Sequence, residues 1–211
     1  MRTLILASVI CALLAGGASA APREPVTGLP CEGCEAVFEG LPAQLYSRAH
    51  IGPPSAPGQP MVLRGTVFGQ DGKPRQGVVV YAYQTNARGL YPTAARAAGA
   101  ASRRHGLLRG WARTDAQGRY AFDTIRPAGY PGTDLPQHIH LHVIERGCAT
   151  YYIDDVLFTD DPRLTAEQIR QHDRKRAGSG VATPVMEKGR WQVKRDIRLG
   201  LNIPGYPGCR Q

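Results

Sequence analysis

The sequence predicts a mainly β chain: an immunoglobulin-like β-sandwich with long loops and one short helix. Three observations predict it. Short runs rich in β-branched and aromatic residues recur at roughly ten-residue spacing, divided by Gly and Asp turns, as in stacked antiparallel sheets. Several of these runs alternate apolar and polar residues, which is the period of a strand and not of a helix. Only one segment carries clear helix start and stop signals.

Taken in order, the 211 residues open with Met1-Arg2, an apolar run from Leu4 to Leu14, and the small-residue stretch Ala18-Ser19-Ala20. A charged start, a short apolar centre and small residues at a cut site describe an export signal, cleaved near Ala20; the apolar run is too short to span a membrane. Residues 21–60 are rich in Pro and Gly, hold Cys31 and Cys34, and include Pro53-Pro54-Ser55-Ala56-Pro57-Gly58. This composition predicts an extended arm lying on the domain, which itself runs from 61 to 211.

Strands are expected at Met61–Phe68, Val78–Gln84, Arg119–Ile125, His138–Val143, Cys148–Ile153 and Trp191–Leu199. Asp71-Gly72 and Asp115-Ala116-Gln117-Gly118 supply turn chemistry between them. Thr93 to Gly110 is rich in Ala, Gly and Arg, which fits a short helical turn or a long loop. Thr165 caps the one expected helix, which runs to about Asp173 before Gly178-Ser179-Gly180 breaks it. Tyr81, Tyr83, Trp111 and Phe122 are expected in the core.

The formal net charge is +9, but the basic residues are scattered, with small clusters only at Arg103-Arg104 and Arg174-Lys175-Arg176. Without a basic patch interleaved with aromatics, nucleic acid is not the expected partner. No run after the leader approaches twenty apolar residues, so no membrane span is expected. Cys11 lies in the leader, which leaves Cys31, Cys34, Cys148 and Cys209. An even count in an exported chain implies two disulfides, with three pairings open. Cys31-Glu32-Gly33-Cys34 also permits a redox pair or half of a zinc site, but no second Cys-x-x-Cys follows it.

The stretch from Gly129 to Val143 concentrates the chemistry. His138, His140 and His142 alternate with Ile139, Leu141 and Val143. On a strand the three imidazoles share one face, where a rigid backbone sets two of them at the reach of one metal ion. Alone, that strand permits zinc, copper or iron, including a non-enzymatic exported module with a three-histidine site. Tyr130 precedes the strand, and Tyr91 ends the loop that starts at Thr85. Two imidazoles and two phenolates form a ligand set suited to a hard trivalent cation, so Fe(III) is favoured over zinc if both tyrosines bind. His50, His105 and His172 carry no supporting pattern.

The ordered motifs resemble the intradiol ring-cleavage dioxygenases, in particular the protocatechuate 3,4-dioxygenase β-subunit-like group in its exported form. They are Arg64-Gly65-Thr66-Val67-Phe68 with Asp71-Gly72-Lys73-Pro74, then Gly89-Leu90-Tyr91, Thr114-Asp115-Ala116-Gln117-Gly118-Arg119-Tyr120, Thr124-Ile125-Arg126-Pro127-Ala128-Gly129-Tyr130-Pro131, Pro136-Gln137-His138-Ile139-His140 and Asn202-Ile203-Pro204-Gly205-Tyr206-Pro207. The resemblance covers about residues 60 to 207 and leaves the Cys-Glu-Gly-Cys arm outside. It implies a mononuclear non-haem Fe(III) held by Tyr91, Tyr130, His138 and His140. It implies cleavage of a catechol-type aromatic by O2, between the two hydroxyls, to a cis,cis-muconate-type diacid. Tyr130 would leave the metal to take up a substrate proton while Tyr91 stays, and relatives form larger assemblies. His142 would support the ligands from the same strand face.

Two positions depart from the family pattern. Leu135 stands three residues before the first histidine, where members commonly place an arginine over the substrate ring. Asp155 stands where the following strand often has a glutamine; an acid there repels a catecholate unless it is protonated or turned away. Arg126, or an arginine of the 96–109 loop, is the expected replacement for the missing charge.

Overall fold

Alternating strands bury one face each, and two sheets built this way stack on their apolar sides. A computed structural model shows this arrangement and describes residues 24–30, 33–93 and 99–209. The expected leader with Cys11, and also Cys31 and Arg96, lie outside the described residues. One sheet has the order β1 (Arg48–His50), β5 (Arg119–Ile125), β2 (Pro60–Phe68), β10 (Arg190–Lys194), β9 (Val185–Glu187), with β11 (Ile197–Arg198) also paired to β2. The second has the order β4 (Arg109–Arg113), β3 (Val79–Gln84), β6 (His138–Glu145), β7 (Ala149–Phe158), β8 (Val181–Ala182).

Between them lies the main core. Leu63, Val67 and Phe122 come from the first sheet, and Val80, Ala82, Ile139, Leu141, Val143, Ile153 and Val156 from the second. Each such buried side chain other than Ala82 contributes about 1.5–3 kcal/mol. A smaller apolar cluster sits on the outer face of the second sheet. There Val79, Tyr81, Tyr83 and Ile144 meet Val37, Phe38, Leu41 and Leu45 of the N-terminal arm. A 3-10 turn at Cys34–Val37 seats the arm, and the Trp111 indole donates to Val37 O at 2.7 Å. Farther along the arm, β1 pairs in parallel with Ala121–Asp123 of β5.

The long helix-poor segment contains a helix of its own. The expected helix is α2 (Ala166–His172), where Thr165 Oγ1 accepts from Gln168 N at 3.2 Å. Before it comes α1 (Ala100–His105), so among the described residues there are two short α-helices where one was expected. The reason is non-local. Glu39 from the arm accepts the Ser102 N–H at 2.8 Å and satisfies the free amide at the helix start.

The expected strand Trp191–Leu199 is also broken, into β10 and β11. At the break Arg195 turns inward and is only 2% exposed. Its guanidinium donates to the carbonyls of Ala177, Asp196, Arg176 and Gly178. The Arg195 carbonyl crosses Gly65 so closely that a Cβ there would lie 1.9 Å from it.

Cys148 and Cys209 form a disulfide that ties the chain's end to the start of β7, and Cys34 is disulfide-bonded as well. Among the described residues no helix is long and apolar enough to cross a membrane.

Candidate functional site

The inner face of β6 is filled by Ile139, Leu141 and Val143, all at 0% exposure, so its histidines stand on the outer face of the second sheet. On the neighbouring strand, Tyr83 pairs with His140 and Tyr81 with His142. Tyr91 and Tyr130 arrive on loops. Asn86 shapes the first loop, its side-chain oxygen accepting from Arg88 N and Leu90 N at 2.9 and 3.1 Å. The loops press together at Gly89, whose φ is +77° and where a Cβ would lie 2.2 Å from Gly129 O. That contact brings Tyr91 and Tyr130 to one spot.

Four donor atoms converge there. The phenolic oxygens of Tyr91 and Tyr130 are 2.7 Å apart. His140 Nε2 lies 2.9 Å from Tyr91 Oη and 3.4 Å from Tyr130 Oη. His138 Nε2 lies 3.2 Å from both Tyr130 Oη and His140 Nε2. Ligands about 2.0–2.1 Å from one cation stand roughly 2.8 Å apart at right angles and about 3.3 Å apart at tetrahedral angles. The observed separations span that range.

Protonation assignments favour the same reading. His138 Nδ1 is 2.7 Å from Pro136 O, and His140 Nδ1 is 2.9 Å from Asp155 Oδ1. Both acceptors call for a proton on Nδ1, which leaves each Nε2 as a lone pair. Two lone pairs 3.2 Å apart repel each other unless something positive lies between or beside them. Burial, then the neighbouring His140 ring, pushes the His138 pKa down, so its imidazole stays neutral. Burial raises both phenols, with the Tyr130 contact adding to the effect at Tyr91. A cation would reverse that preference and ionise them. The residues therefore fit a hard metal ion.

A bulge places Asp155. Ile139 pairs with Val156, and Leu141 with Ile153, so two steps along β6 face three along β7. The extra residue sets Asp154 and Asp155 together across from His140. Asp154 is fully buried and binds Arg176 at 2.6 Å. Asp155 Oδ1 accepts from His140 Nδ1 and, at 2.6 Å, from Tyr152 Oη. Burial alone would raise the Asp155 pKa. The His140 ring and its Nδ1–H hydrogen bond, with His138 and Tyr152, outweigh burial and keep it a carboxylate. It is thus ionised and turned onto His140. Gly180 permits the close packing here, because a Cβ would lie 1.9 Å from Asp155 O.

Two hollows flank the four donors, and Tyr130 and His140 line both. The larger, about 280 Å³, is walled by Pro30, Tyr83, Tyr91, Arg104, His105 and Tyr152. The smaller, about 150 Å³, is walled by Leu135, Pro136, His138, Asp155, Leu157 and His172. Larger hollows exist elsewhere, such as one of about 460 Å³ between Arg48, Asp123 and Arg190, but no comparable donor set converges on them.

Some expected roles change. Tyr83 was expected as core packing. It is buried, yet it stacks on His140 at 4.4 Å and on His105 at 3.7 Å and forms a cavity wall. His105, which had no pattern to single it out, sits 2.9 Å from Tyr81 Oη through Nδ1. Arg126 does not supply the charge missing at Leu135. Its guanidinium holds Asp160 at 2.7 and 2.6 Å, donates to Gln137 at 2.9 Å and lies over Trp191. Arg104 of the 96–109 loop does reach the larger hollow. His142 does not join the converging donors. Its ring is 1% exposed among Tyr81, Tyr83, His105 and Tyr152, and burial lowers its pKa to about 3. A three-histidine site is therefore not formed. Among the described residues, the His, Cys, Asp and Glu side chains grouped closely enough for one ion are His138, His140 and Asp155.

Comparison with known proteins gives the family. Residues 43–190 match the Dioxygenase_C family, described as Dioxygenase. The protocatechuate 3,4-dioxygenase beta chain of Burkholderia cepacia is 32% identical over 119 residues, covering 54% of this chain and 51% of that protein. The match thus spans about half the length of that relative. The alpha chain from the same organism is 30% identical over 152 residues, 71% of this chain and 76% of that one. The dioxygenase domain of a dioxygenase–carbohydrate-binding protein fusion from Streptomyces sp. SirexAA-E superposes with a TM-score of 0.55, over 83% of this chain and 98% of that domain, at 23% identity, a likeness of fold. A family match over most of the sandwich, with two tyrosines and two histidines gathered at one point, places this chain in the intradiol ring-cleavage dioxygenase family.

Proposed function

We propose that this chain binds one ferric ion through Tyr91, Tyr130, His138 and His140. With it the chain cleaves a catechol-type aromatic between its hydroxyl-bearing carbons to a cis,cis-muconate-type diacid. The observation that carries this reading is the convergence of two phenolic oxygens and two imidazole lone pairs, with separations of 2.7 to 3.4 Å. Both atoms of O2 end in the diacid, so substrate and oxygen account for every atom of product. When bound, the ferric ion supplies the Lewis acidity that makes a catecholate reactive toward O2.

The chain's own groups divide the remaining work. Tyr130 and Tyr91 both come from loops, but of the two it is Tyr130 that borders both hollows. With the ion bound it would be a phenolate, and it is the group placed to take a substrate proton at Oη. Tyr91 is braced by its contact with His140 and stays. Tyr83 and Tyr152 wall the larger hollow, orient a single aromatic ring and keep water out. Leu135 offers only apolar contact, so the positive charge on this chain's side comes from Arg104 at the larger hollow. The Cys148–Cys209 bridge and the leader-like start support an exported setting.

Loading with Fe(III) should give a broad visible phenolate-to-iron band, and oxygen uptake on a panel of catechols should yield muconate absorbance. Tyr130→Phe should weaken the band and slow turnover about 10²-fold. A band unchanged in both Tyr91→Phe and Tyr130→Phe would remove the ligand assignment.

A further inference from the structure

We propose that Asp155 is a positioning residue that acts through His140. The hydrogen bond from His140 Nδ1 to the Asp155 carboxylate makes His140 the stronger of the two histidine donors and holds its Nε2 toward the ligand centre. The inference rests on the proposed ferric site and extends it to a residue that is neither ligand nor substrate contact.

The two histidines are backed differently. His138 gives its Nδ1 proton to a neutral carbonyl, Pro136 O, at 2.7 Å. His140 gives its own to a carboxylate at 2.9 Å. A carboxylate partner draws the Nδ1 proton toward itself, raises electron density at Nε2 and fixes the tautomer and the ring angle. A carbonyl does this more weakly.

The carboxylate is itself held from behind. Tyr152 Oη donates to the same Asp155 oxygen at 2.6 Å. The Tyr152 ring lies under the Arg176 guanidinium at 4.8 Å, and Arg176 is clamped by Asp154 through its Nε at 2.6 Å and its backbone N–H at 3.1 Å. The single extra residue of the bulge makes this possible, because one aspartate turns to Arg176 and the next to His140. On the other side Tyr83 stacks on the His140 ring at 4.4 Å, so the imidazole is restrained in its plane as well as across it. Asp155 also answers the charge problem posed by its sequence position: its negative charge is spent on the Nδ1–H of His140 rather than aimed at the substrate.

The test separates charge from hydrogen bonding. Asp155→Asn is nearly isosteric and keeps an acceptor oxygen but removes the charge. Asp155→Ala removes both, and Tyr152→Phe removes only the backing bond. The expected results are a roughly tenfold loss of Fe(III) affinity in D155N and up to about a hundredfold loss in D155A. In D155N the phenolate-to-iron band should move to longer wavelength, since the ion loses electron density from His140. In the metal-free protein, nitrogen-15 NMR should show His140 as the Nδ1–H tautomer in wild type and as a mixture in D155A, with His138 unchanged. Tyr152→Phe should give the same shifts in smaller size.

Wild-type affinity, band and tautomer in D155A would overturn the proposal. So would a loss of iron in D155N as complete as in His140→Ala, because Asp155 would then be a ligand itself. If wild-type protein takes up iron without a phenolate band, the ferric tyrosinate reading fails. The tautomer measurement still decides the Asp155–His140 couple in that case.

Discussion

The two ends of β6 both bury polar clusters, and the clusters are of opposite kinds. At the far end Glu145 is 7% exposed and accepts from Tyr151 Oη at 2.6 Å and Tyr206 Oη at 3.0 Å. Tyr151 Oη in turn accepts from Gly200 N at 3.3 Å. There each hydrogen meets an acceptor, and the group is closed. At the near end, two imidazole lone pairs and two phenols crowd one point, where hydrogens are too few to separate the acceptors. Buried polarity alone does not mark a functional site. A surplus of lone pairs aimed at one point does, because a bound cation would draw all of them at once.

Three measurements bear on that contrast. The largest effect belongs at the near end. His140→Ala should abolish ferric binding and oxygen uptake while changing stability by only about 1–2 kcal/mol; iron per chain and a denaturation curve read both. Retained iron and activity would mean that the convergence is not the metal site.

Next comes the far end. Replacing Cys148 and Cys209 together by Ser opens a closure spanning 61 residues and should cost about 2–5 kcal/mol. The visible band should remain in place. A bleached iron site in that variant would show that the two ends are not independent.

The smallest effect is a change of pH profile. Burial raises the Glu145 pKa above its ordinary 4.5, against the opposing bonds from Tyr151 and Tyr206. Folding therefore favours the protonated acid: its contribution is full below pH 4.5 and is lost as pH rises through the raised value. Glu145→Gln keeps an acceptor oxygen for the tyrosines and removes the charge. Its stability should match wild type in acid and exceed it at neutral pH, as read by denaturant unfolding across that range. Equal profiles would show that Glu145 is solvated after all.

What the sequence made legible follows the range of the interactions. The alternation of Ile139, Leu141 and Val143 with histidines is a local pattern, and the strand faces follow from it. The two tyrosines were readable as members of an ordered motif set, although Gly89 against Gly129, the contact that joins their loops, is not a pattern of either segment alone. Tyr83 could have been found, since Tyr81 and Tyr83 alternate with Val80 and Ala82 and so face outward beside the histidines. His105 could not, because its stack on Tyr83 depends on a helix whose start is capped by Glu39, over sixty residues earlier. Arg195 misled for a related reason. In the alternating run it shares the phase of Val193, Ile197 and Leu199 and does turn inward, but as a charge it meets four carbonyls and divides the strand.

The bulge in β7 also sets how this chain can tolerate changes in length. Deleting Asp154 or Asp155 would give β7 the same count as β6 and restore a regular ladder. Only one aspartate would then serve two partners, Arg176 and His140, which lie in different directions. A one-codon loss at this spot would leave the sandwich with better pairing and His140 without its anchor. In this family member, a gain in backbone regularity and a loss of catalytic order would come from the same genetic event.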